Sequence, residues 1–112
     1  IVFHENDVIA SKIINASLSA EDIENELEAL LDTINGKAIQ KGILPDSQGQ
    51  VGSLDFSEFY TILNRIRSIE GEIKVEVIAT EDIWRENRLG DNIKFNIQNP
   101  IKGDLNGNAN GN

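Results

Sequence analysis

The chain has 112 residues, a formal charge of −9, no cysteine and a single histidine. That length supports one hydrophobic core and leaves no room for a second domain. The acidic balance argues against a nucleic-acid or anionic-membrane surface, because both need Lys and Arg to neutralise phosphate, and the missing cysteines exclude a disulfide framework and a thiolate metal site.

No apolar run approaches the roughly 20 residues that cross a bilayer, and no signal-peptide pattern opens the chain. The start at Ile1 rather than Met points to a processed or excised fragment. His4 rules out a multi-histidine metal site by being alone, and it reads as a solvated terminal side chain.

From Val8 to Leu18 two periods compete. Val8, Ala10, Ile14, Ala16 and Leu18 alternate as a strand does, while Ile9, Ile13 and Ala16 also suit a helix; the strand is preferred. A helix follows. Ser19 caps it, Asp22 closes a box three residues later, and Leu18 can staple onto Ile23. Ile23, Leu27, Leu30, Leu31 and Ile34 form its apolar stripe, and Asn35-Gly36 is the expected stop. Its other face carries Glu21, Glu24, Glu26 and Glu28, read as a solvated face whose early carboxylates suit the positive helix start.

Gly42-Ile43-Leu44-Pro45-Asp46 and Gly49-Gln50-Val51-Gly52 make a glycine-punctuated surface connection. In the second helix Phe59, Ile62, Leu63, Ile66 and Ile69 share a face opposite Asn64, Arg65, Arg67 and Ser68. Asp55 is its expected cap, Glu58 holds the capping-box place, Leu54 staples onto Phe59, and Gly71 ends it. The period then changes to two. Ile73, Val75, Val77 and Ala79 point one way along a strand, and Lys74, Glu76, Ile78 and Thr80 the other.

Past Trp84, which is flanked by charge, Ile93, Phe95 and Ile97 alternate with Lys94, Asn96 and Gln98 as a last strand that Pro100 stops. The fold class expected is α+β, a small sheet with two amphipathic helices packed on one face, over residues 1–102. The Asn- and Gly-rich residues 103–112 are expected to form a flexible tail.

GSLDFSEF resembles the second half of an EF-hand calcium loop, in which a glycine, an aliphatic and an aromatic residue lead to a closing Glu. With Gly52 on the sharp turn and Glu58 closing, Ser47, Gly49 and Val51 fall where oxygen-bearing side chains belong, and two of these cannot coordinate through a side chain. The alternative reading is therefore a calcium-binding module using Asp46, Asp55 and Glu58, with a plain helix cap as the simpler one. In the tail, Asp104, Asn106, Asn108 and Asn110 recur at every second position as in dockerin-type loops, without a closing acidic residue. No carboxylate stands in an apolar setting that would raise its pKa, so no catalytic residue is assigned and no enzyme is expected.

ELEALLDTINGKAI followed by VGSLDFSEFYTILNRIRSIEGEIKVEVI resembles the carboxy-terminal region of baseplate J-like proteins, wedge components of contractile phage tails. Ser57, Tyr60, Ile66, Ile69, Gly71 and Val75 stand in that family's places, whereas Glu70 replaces a frequent proline and Glu72 a frequent valine. The resemblance implies a non-catalytic structural subunit in a virion or tail-like particle. Its partners would be other protein subunits, copies of itself among them, with no cofactor, nucleic acid, membrane insertion or small-molecule substrate. Contacts are expected at Trp84, Ile93, Phe95 and Ile97.

Overall fold

A computed structural model describes residues 1–52 and 56–99. Strand β1 (Val8–Asn15) leads to helix α1 (Ala20–Lys41), helix α2 (Phe56–Arg67), and strands β2 (Glu72–Ala79) and β3 (Ile93–Gln98). The strands form one antiparallel sheet in the order β1-β2-β3. The class is α+β, as expected.

β2 is the central strand and the most apolar on one side. Ile73, Val75, Val77 and Ala79 are all fully buried, so the alternation in the sequence translates directly into a covered face. α1 crosses that face, packing on β1 and against α2. Its Ile23, Leu27, Leu30 and Ile34 enter the same core as Ile62, Leu63 and Ile66 of α2. α2 stops at Arg67, short of Gly71, and the link that follows it meets the residues between β1 and α1, because Ala16 N–H donates to Gly71 O at 2.8 Å and Gly71 N–H to Ser17 Oγ at 3.2 Å. Gly71 makes this turn at φ 81°, a backbone angle that costs glycine nothing. Ser19 caps α1 as expected, its hydroxyl accepting from Asp22 N–H at 3.2 Å.

Two local expectations are corrected. Asn35-Gly36 does not stop α1, which runs a further turn and a half to Lys41. The stop is Gly42, at φ 116°, whose N–H donates to Ile39 O while Ile43 N–H donates to Ala38 O at 2.9 Å. Ala38 and Ile43 are both buried, and that burial plus the extra hydrogen bonds outweighs the roughly 1 kcal/mol a mid-helix glycine costs. In β1, the register slips between Val8 and Ala10. Ile9 is the extra residue, so Ile9 and Ala10 are both buried, whereas Val8 lands on the outer face. Beyond the bulge Ala10, Lys12 and Ile14 oppose Val77, Val75 and Ile73 on the inner face. Lys12 emerges beside α1, where its Nζ lies 3.5 Å from Glu26 Oε1. Glu26 is therefore an ion-pair partner and not a purely solvated residue.

The capping by Asp55, the staple from Leu54, the stop at Pro100 and the tail at 103–112 lie outside the described residues.

Candidate functional site

β3 is an edge strand with an unusual distribution of cover. None of its six residues is fully buried: Ile93, Phe95 and Ile97 turn halfway into the core, and Lys94, Asn96 and Gln98 face outward. Thr80 N–H donates to Asn92 O at 2.8 Å, one register step beyond the Ala79–Ile93 pair. That bond sets the phase of the ladder. Lys94, Asn96 and Gln98 exchange backbone hydrogen bonds with β2, and the N–H and C=O groups of Phe95 and Ile97 point away from it. The same residues thus send side chains toward the helices and backbone polar groups toward a sheet edge that no other strand pairs among the described residues. The opposite edge differs, because the bulge at Ile9 kinks β1, a device that blunts strand pairing.

A groove of about 390 Å³ opens between β3, α1 and the connection that follows α1. Ile93, Phe95, Leu31, Ile34, Val51 and Leu89 supply its apolar lining, and Glu28 and Asp32 stand on its α1 wall. Its far end is held by Asn35. The Asn35 side-chain amide donates to Gly49 O and its Oδ1 accepts Val51 N–H, both at 2.9 Å, so one side chain serves the returning chain as a neighbouring strand would. Val51 O accepts Leu89 N–H at 2.9 Å, and Gly52 bridges Leu89. A Cβ at Gly52 would overlap the Leu89 carbonyl oxygen, so the close approach requires glycine.

Asp46 organises the tip of this connection. Its Oδ1 accepts the N–H groups of Gln50 and Gln48, each at 2.9 Å, and Arg88 Nη2 lies 3.4 Å from Oδ2. The Gln50 N–H, then the Gln48 N–H, hold the carboxyl below its ordinary value of 3.8; desolvation opposes them, and Arg88 adds a weaker lowering. Asp46 is thus spent on a turn. Glu58 sits in the first turn of α2, Asp55 is outside the described residues, and among the described residues no three acidic or histidine groups converge as a metal site would need.

The expected contact residues separate in space. Ile93 and Phe95 line the groove, and Ile97 continues the same face of β3. Trp84 lies elsewhere, in the loop from β2 to β3, where its backbone N–H donates to Asn87 Oδ1 at 2.7 Å and the residue is 52% exposed. Beside it Leu44, also exposed, is tied in through its N–H to Arg85 O. Sequence reasoning missed Asn35, Leu89 and the reason for Gly52, and no local pattern announces any of the three.

Two helices that share one core with a three-stranded antiparallel sheet define an α+β domain. The chain belongs to the family described as the DUF3084-associated C-terminal helical hairpin, which matches residues 3–87. The match takes in β1, α1, α2 and β2 and stops ahead of β3. No curated protein and no solved structure matches the chain.

This membership overturns the resemblance to baseplate J-like proteins and the phage-tail assembly role drawn from it. The physical reason is visible in the matched positions. Ile66 and Val75 are core residues and Gly71 a left-handed turn, needs common to any helix that passes through a tight turn into a buried strand. The virion setting rested on that resemblance alone. The calcium-binding alternative through Asp46, Asp55 and Glu58 is likewise corrected by the family match, and Asp46 shows why the loop misled. Among the described residues no helix is long and apolar enough to cross a membrane.

Proposed function

We propose that this domain is a protein-binding element without catalysis of its own, and that it takes an extended segment of a partner along β3. The observation that carries the reading is the phase of β3: Phe95 and Ile97 offer outward N–H and C=O groups beside an open apolar groove. Strand addition to such an edge derives affinity from main-chain hydrogen bonds and selectivity from alternate side chains entering adjacent pockets. The description of the family as associated with another region is in keeping with a domain that works beside a second segment. Acidic charge disfavours nucleic acid as that partner.

Screening a displayed library of random linear peptides against the folded domain, then mapping selected binders by amide NMR shifts, tests the reading. Shifts gathered on residues 93–98 support it. Shifts gathered elsewhere, or no binder, overturn it.

A further inference from the structure

Resting on that reading, we infer that the groove beside β3 selects partner segments in which an apolar side chain is flanked by lysine or arginine. The floor and the wall make different demands. Leu31 and Phe95, both half-buried, present an apolar surface in a groove of about 390 Å³, within the size range of clefts that hold a ligand group, and the buried Val51 backs them. Glu28 and Asp32 stand one turn apart on the α1 wall, exposed, and neither has a cationic partner among the described residues. Glu26, on the side of α1 that faces β1, is by contrast already paired with Lys12 at 3.5 Å.

An incoming apolar side chain that fills the groove brings its flanking residues to that carboxylate pair. A lysine or arginine there gains two attractive charges on an exposed wall, and an aspartate or glutamate meets repulsion. The charge of −9 adds long-range steering in the same direction. Charge on the wall thus sets which segments enter, and the apolar floor sets where they stop.

Three synthetic peptides measured by calorimetry on the whole chain test this: one with leucines flanked by lysines, the same peptide with glutamates for lysines, and the same with serines for leucines. The lysine–leucine peptide is expected to bind about tenfold or more tightly than either control, with affinity falling as salt rises. In a Glu28→Gln, Asp32→Asn variant, whose two sites are exposed, the preference for lysine over glutamate is expected to collapse. Equal binding of lysine and glutamate peptides overturns the charge selection. If that equal binding is also lost in Ile97→Pro, which removes one outward N–H and is checked for folding by circular dichroism, the β3 reading survives the failure. No binding by any of the three overturns both.

Discussion

Asn35 and Val51 are joined by a hydrogen bond from the Val51 N–H to the Asn35 Oδ1 at 2.9 Å, and the other half of the same amide holds Gly49 O. One side chain in the last third of α1 therefore fixes the connection that closes the groove. Asn35→Ala leaves the half-buried Val51 N–H without its acceptor. The expected loss is about 2 kcal/mol, read as a lower urea midpoint with unchanged slope by Trp84 fluorescence. Asn35→Asp keeps the acceptor and loses the donor to Gly49, so its midpoint should fall between the two.

Two glycines make opposite predictions. Gly52→Ala drives a Cβ into the Leu89 carbonyl, a backbone atom that no rotamer change can move, and is expected to cost about 2 kcal/mol or more. Gly36→Ala meets nothing within 4 Å in the middle of α1 and should stabilise by about 1 kcal/mol. Thermal melts of the two variants separate them by sign.

Asn6 stands at φ 75° in the turn that leads into β1, with its N–H donating to Ala79 O at 2.8 Å. Asn tolerates this left-handed angle better than other side chains do. Asn6→Val should destabilise by about 1–2 kcal/mol, while Asn6→Gly stays close to wild type. Comparing the two midpoints tests the backbone cause, since both remove the same side-chain amide.

The Asp46 turn carries a pH dependence. A carboxyl whose folded pKa lies below its ordinary value of 3.8 contributes stability that is fully present above 3.8 and is lost as pH falls through the lower folded value. The urea midpoint of Asp46→Asn should therefore lie below wild type near neutral pH, and the gap should narrow once the pH drops below 3.8. A gap that widens with acid would contradict the assigned direction.

The elements most legible in the sequence were those in which one period dominates. β2 alternates without interruption from Ile73 to Ala79, and the stripe of α2 places Ile62, Leu63 and Ile66 in the core. β1 was readable as a strand but not in its facing, because one bulged residue inverts every position before it and Val8 moved to the outer face. The Asn35-Gly36 signal was real as local chemistry and lost to long-range burial of Ala38 and Ile43. At the candidate site, the alternation of Ile93, Phe95 and Ile97 makes the strand legible, while their expectation as contact residues came from the baseplate J-like resemblance that the family match overturns. Which of their groups face outward depends on pairing with β2, and the groove depends on α1, Val51 and Leu89 meeting, relations that no local pattern encodes.

Amide hydrogen exchange along β3, with and without the lysine-flanked leucine peptide, tests the open edge most directly. In the free domain Phe95 and Ile97 should exchange fast while Lys94 and Asn96 are protected, and saturating peptide should slow Phe95 and Ile97 by about tenfold or more. Protection of Phe95 and Ile97 already present in the free domain, or exchange there unchanged by bound peptide, would contradict the account.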